Sequence, residues 1–109
     1  MFLASQRPII GVMRVVALRS LREFWSRHAD AERPLRAWYH DARKAAWWSP
    51  GDIRNAYRNA SILANNRVVF RIKGNQYRLV VAVRYEKGVV YIRFIGTHHE
   101  YDQIDATTA

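Results

Sequence analysis

Gly96-Thr-His-His-Glu-Tyr-Asp102 gathers two imidazoles, two carboxylates and a phenol within seven residues. Imidazole is the side chain best suited to moving protons near neutral pH, so this stretch is a candidate for acid–base work. Simpler roles compete with it. Adjacent histidines often sit on surface loops, and Glu-Tyr-Asp is equally fit to open a terminal helix or cap a neighbouring one. His-His invites a metal, but no further His or Cys stands near it at ligand spacing, so neither a metal nor any other cofactor is expected. His28 lies on a helical stripe and His40 beside one, which reads as packing or surface. Trp47-Trp48 is an aromatic pair able to stack on bases, though such pairs at helix ends more often enter a core or a partner interface.

The second chemical feature is charge. The formal net charge is +9, and the stretch from Arg54 to Arg93 holds nine Lys or Arg against one acid, Glu86. Basic residues gathered in this way mark a surface for anions. The order of residues predicts that Arg71 and Lys73 share one strand face, that Arg78 and Arg84 alternate with apolar residues on the next strand, and that Arg93 interrupts a third. If helices cover the apolar face, these arginines line the open one and hold phosphates, bidentately where Arg is used. An ordinary solvated sheet face has the same pattern. Nucleic acid is favoured over a membrane surface because the charges fall on a strand-rich half of the chain.

The elements that must position these residues follow from periodicity. Met13 to Leu18 is a short apolar run that reads as a first strand. Ser20-Leu-Arg-Glu23 has the form of a capping box and predicts a helix start, followed by a stripe of Leu21, Phe24, Trp25, His28 and Ala29. Pro34 suits a first helical position, and Leu35, Trp38, Ala42 and Ala45 make a second stripe, so a helical hairpin is expected. Ser49-Pro-Gly-Asp52 signals a short third helix, with Ile53, Ala56, Tyr57 and Ala60 on one face and Arg54, Asn55, Arg58 and Asn59 on the other. After Ser61 the period changes to two. Val68, Phe70 and Ile72 alternate with Val69, Arg71 and Lys73, Gly74-Asn75 supplies a tight turn, Tyr77 to Tyr85 returns, and Val89 to Ile95 follows Glu86-Lys-Gly88. The expected fold is α+β: an antiparallel sheet, built from the N-terminal strand and a three-stranded meander, packed on an N-terminal helical hairpin.

A chain of 109 residues, half of them apolar, holds one core and not two, so residues 13–109 are read as a single domain. Residues 1–12 read as an extension, cut by Ser5, Gln6, Arg7 and Pro8 and unlike a signal peptide, with Met13 placed where a natural start could lie. The absence of cysteine fits a reducing compartment, and a cytoplasmic location is expected.

Taken together, V-V-F-R-I-K-G-N-Q-Y-R-L-V-V-A-V and V-Y-I-R-F-I-G-T-H-H-E-Y-D resemble the HigB-type toxins of the RelE-like superfamily. With the strand, two helices and short S-P-G-D-I helix upstream, the resemblance covers residues 13 to 105. It implies a microbial ribonuclease-like α+β fold and the toxin of a type II toxin–antitoxin pair. Such a toxin cuts messenger RNA on the ribosome, and a HigA-like helix-turn-helix antitoxin silences it; operator DNA would be met only through that antitoxin. Carried over by motif position, Arg78, His98 and Tyr101 are the candidates for the active centre, with Arg71 and Lys73, and the further strand arginines Arg84 and Arg93, as RNA contacts. The implied reaction is attack of a ribose 2′-hydroxyl on the adjacent phosphate. Arg78 stays protonated and is assigned to charge stabilisation. His98 is assigned as general acid or base, Tyr101 as the second proton-transfer or stacking group, and His99 as a bystander. Two other readings share these residues. A binding module of the same fold would grip RNA or protein without cutting, and a DNA-binding regulator would need a recognition helix that only the Arg54–Asn59 face approaches.

Overall fold

The computed structural model describes residues 12–109, and the extension expected at residues 1–12 lies, but for Val12, outside them. Strand β1 (Arg14–Val16) leads into α1 (Leu18–Arg27), a 3₁₀ turn (Ala29–Ala31), α2 (Glu32–Lys44) and α3 (Pro50–Ala56). Strands β2 (Ser61–Ile62), β3 (Arg67–Ile72), β4 (Tyr77–Arg84) and β5 (Val89–Thr97) follow, and the single turn α4 (His98–Tyr101) comes last. The sheet has five strands in the order β1-β5-β4-β3-β2.

The sheet is mixed, which corrects the expectation of an antiparallel one: β1 runs parallel to β5, with Val15 opposite Val90. The remaining pairs are antiparallel. Connectivity permits the parallel pairing, because three helices intervene between β1 and the other strands and a connection of that length can return the chain in either direction. The start of α1 also departs from expectation. Helical backbone begins at Leu18 after an extended Ala17, so Ser20 lies inside the first turn and caps nothing. The apolar run that ends in Leu18 is thus shared between strand and helix.

Helices cover one face of the sheet. Leu21 and Phe24 of α1, Leu35, Trp38 and Ala42 of α2, and Ile53 of α3 are buried against Val68, Phe70, Leu79, Val81 and Val90. These are the helical positions that recur at spacings of three and four, and burying a Leu or Phe of this kind contributes about 1.5–3 kcal/mol. Phe70 is a hub, edge-on to Trp38 at 5.4 Å and to Tyr57 at 5.1 Å, and stacked on Trp47 at 6.1 Å between ring centres. Trp47 is therefore core, while Trp48 is exposed.

The opposite face is not simply open. Val69 and Val80 are buried there beneath Ala106, with Leu63, Phe94, Tyr101 and Ile104 packed around them. The segment after β5 folds back over the middle of the sheet, so β4 is buried on both sides, as its near-continuous Leu-Val-Val-Ala-Val run requires. Asn65 and Arg67 fasten that segment by donating to the backbone oxygens of Thr107 and Ala109. Among the described residues no helix is long and apolar enough to cross a membrane.

Candidate active site

The site is built where β3 ends, β4 begins and β5 passes into α4. Arg71, Arg78 and Gly96 are cross-strand neighbours in one row across β3, β4 and β5. Adjacent strands lie about 5 Å apart, so Arg71 and Arg78 stand side by side on one face. Like charges set opposite each other destabilise a sheet unless an anion lies between them.

Arg78 is the one buried charged side chain among the described residues, at 7% exposure. Its Nη1 donates to the Asn75 backbone oxygen at 2.9 Å, and its guanidinium carbon lies 5.8 Å from the centre of the Tyr101 ring. No carboxylate of the described residues pairs with it. Nε and Nη2 make no hydrogen bond and are not sealed from solvent. A guanidinium has five N–H donors in a fixed fork, so most of the donors of this one remain unpaired among the described residues, with their geometry already set.

Tyr101 is presented by α4, whose start is fixed by a capping box that the sequence reading did not pick out. The Glu100 amide donates to Thr97 Oγ1 at 3.1 Å, and the Thr97 amide donates to Glu100 Oε1 at 2.8 Å. Thr-His-His-Glu has the same S/T-x-x-E form that was read at Ser20, and here it satisfies two otherwise orphan amides. Of the tail's chemical groups, Thr97 and Glu100 are thereby structural. Gly96 is still in β5, and a Cβ on it would stand 2.5 Å from Phe94 Cζ and 2.9 Å from Glu100 Oε1.

His98 and Tyr101 stand at i and i+3 on this turn, and such positions are neighbours on a helix surface. The His98 amide donates to the Gln76 backbone oxygen at 3.0 Å, which ties α4 to the β3–β4 turn. Its imidazole Nε2 is 3.8 Å from Asp102 Oδ1, too long for a hydrogen bond but within ion-pair range when the ring is protonated. Asp102 is a partner the sequence reading did not assign, although the i, i+4 spacing signals it once α4 is known. His98 and His99 also border a recess of about 360 Å³ shared with His28, Asp30 and Tyr77.

Asp30, on the 3₁₀ turn between α1 and α2, was not anticipated at all. It accepts a hydrogen bond from Lys73 Nζ at 2.6 Å and another from the Tyr77 hydroxyl. Lys73 above all, and then Tyr77, hold its carboxyl below the usual carboxylate value, and the same bond raises the Tyr77 phenol. His28 stacks on Phe24 at 4.4 Å and meets the Tyr77 ring edge at 5.6 Å, which makes it a packing residue.

The expected RNA contacts separate. Arg71 is exposed beside Arg78. Lys73 does not share its face: positive φ falls on Lys73 (53°) and Gly74 (64°), one residue earlier than Gly74-Asn75, and this swings Lys73 out of the strand towards Asp30. Arg84 lies at the far end of β4, paired with Glu86 at 3.0 Å. Arg93 occupies the irregular register between β4 and β5 and donates to the Ala109 backbone oxygen at 3.1 Å. Arg78 and Tyr101 are thus in contact, with His98 on the same turn and Arg71 alongside. Lys73, Arg84 and Arg93 are engaged elsewhere.

The model of the HigB toxin family, the RelE-like toxic component of a toxin–antitoxin system, matches residues 31–104. That span includes α2, α3, the four C-terminal strands and every candidate residue of the junction. The chain belongs to the HigB toxin family. No curated protein matches the chain. As a HigB-family toxin it is one half of a pair, with an antitoxin as its partner. Among the described residues no group of three or more His, Cys, Asp or Glu is arranged to hold a metal ion.

Proposed function

We propose that this HigB-family toxin is a cytoplasmic endoribonuclease that cuts messenger RNA on the ribosome and is neutralised by a HigA-like helix-turn-helix antitoxin. Arg78 carries this conclusion: a buried guanidinium without a carboxylate partner, oriented by Asn75 and Tyr101, is a preformed site for a phosphate. Burying such a charge is costly unless a ligand or a surrounding hydrogen-bond network compensates, so its retention at the junction favours a phosphate-binding role over a structural one.

In the reaction, the ribose 2′-hydroxyl gives up its proton to a base and its oxygen bonds to the adjacent phosphorus. The bond from phosphorus to the 5′-oxygen breaks, and that oxygen takes a proton from an acid. The products are a cyclic 2′,3′-phosphate and a free 5′-hydroxyl, with no outside reactant consumed. Arg78 and Arg71 stabilise the charge that builds on the phosphoryl oxygens. His98 is the proton-transfer group, with Asp102 within reach of its protonated ring. Tyr101 orients Arg78 and serves as the second proton-transfer or stacking group.

Induced expression with mapping of RNA 5′ ends, in the presence and absence of translation, tests the proposal. New 5′-hydroxyl ends that appear only during translation, and disappear in His98→Ala, are the expected result. Growth arrest without RNA cleavage would refute it, and full toxicity of His98→Ala would remove His98 from the site.

A further inference from the structure

The exposed face of α3 takes no part in the centre described above, yet it carries arginines with no ion-pair partner among the described residues. Arg54, Asn55 and Arg58 line one open groove, and Arg58, Asn59, Arg71 and Gly74 line a second, so the two are continuous through Arg58. Among the described residues no acidic side chain borders either groove. Arg54, Arg58 and Arg71 have no carboxylate within ion-pair distance among the described residues, whereas Arg19, Arg36, Lys73 and Arg84 each have one. The nearest acid in sequence, Asp52, is occupied by the Trp48 amide at 2.8 Å.

The grooves lie where the sheet is unfinished. β2 pairs only with Val68 and Val69, so β3 from Phe70 onward has no outer strand among the described residues. Arg71 emerges at this edge and is the cross-strand neighbour of Arg78. Guanidinium groups therefore run without an intervening carboxylate from the candidate centre, over the edge of β3, to the surface of α3.

Resting on the ribonuclease reading above, we propose that Arg54, Arg58 and Arg71 form a phosphate track that holds the RNA strand on one side of the cleavage position. A series of unpaired cations with side-chain amides between them fits a repeating, singly charged backbone. An acidic segment of a partner protein is less favoured, because the continuity runs to a phosphate centre.

The test uses the full chain and single-stranded RNA 2′-O-methylated at each position, which supplies phosphates but no nucleophile. Binding of a strand of about 12 nucleotides and of a trinucleotide is measured by fluorescence anisotropy across a salt series. Replacing Arg54 and Arg58 together by Gln should lower the salt slope of the long strand by about 1.4, two contacts at roughly 0.7 each, and leave trinucleotide affinity within about twofold. Replacing both by Lys should restore the slope, since a phosphate track reads charge. An unchanged slope in the Gln variant of a wild-type protein that cuts RNA overturns the track alone. Loss of antitoxin binding with an unchanged slope overturns it in favour of a protein interface. A wild-type chain that neither binds the long strand nor cuts RNA removes the ribonuclease reading as well. Programmed ribosomes identify whose phosphates are held. A cleavage defect confined to messages that extend past the cut supports the track, and an equal defect on truncated messages overturns it in favour of a contact to ribosomal RNA.

Discussion

Gly96→Ala places one methyl group where the site is tightest. The added carbon would meet the Phe94 ring at 2.5 Å and Glu100 Oε1 at 2.9 Å, both closer than carbon atoms tolerate. The backbone at Gly96 needs no left-handed conformation, so the constraint is space alone. Both obstacles are the far ends of side chains and will give way. Displacing Glu100 opens half of the capping box, worth about 1 kcal/mol, and tilting Phe94 disturbs the small core over Val80 by a similar amount. The expected loss is about 1–2 kcal/mol, or a melting temperature lower by roughly 5–10 °C, which leaves a domain of ordinary stability folded at room temperature. Cleavage should fall much further, about 100-fold, because α4 loses its fixed start and carries both His98 and Tyr101. Glu100→Gln is the control: a Gln at this position still closes a capping box and should retain most activity. Thermal melting beside RNA cleavage separates the two effects. If Gly96→Ala melts within about 2 °C of wild type and cuts normally, the close-packing account of the junction is wrong.

Three further outcomes are expected. Arg78→Lys keeps the charge but loses the planar fork, and primer-extension assays should show cleavage reduced about 100-fold with little change in melting temperature. Phe70→Leu removes three ring contacts from the hub and should cost about 2–3 kcal/mol in urea unfolding; a loss below about 0.5 would contradict the packing described. Asp30→Asn should be less stable than wild type near neutral pH. Because Asp30 titrates lower in the folded chain than its ordinary 3.8, its contribution is present above that value and is lost as pH falls through the depressed pKa. The gap between variant and wild type should therefore close in acid, and a gap that widens there would exclude the Lys73–Tyr77 pairing as its cause.

Periodicity made most of the elements legible, because Leu35, Trp38 and Ala42 or Val68, Phe70 and Ile72 can bury themselves only on one face of a helix or strand. What failed was local pattern matching without context. Ser20-x-x-Glu23 and Thr97-x-x-Glu100 are equivalent as text, but Thr97 is itself the extended residue at which its helix starts, whereas Ser20 lies inside α1, whose extended boundary residue is Ala17. Lys73 looked like Arg71's companion until one positive φ removed it from the alternation. The apolar Leu79-Val80-Val81 run did signal burial on both faces, and would have shown that the arginine face was partly covered. Arg78 and Tyr101 stood out by motif, whereas Asp30 had no sequence signal, since its partner Lys73 lies 43 residues away.

The parallel pairing of β1 with β5 has a consequence for timing. During synthesis β1 emerges first and has no partner until Val89–Thr97 follows, and α4 comes later still. The sheet is closed and His98 and Tyr101 are placed in the same late interval. A chain halted anywhere before β5 would have arginines but no turn to set beside them, so a truncated product should be harmless to the cell that makes it.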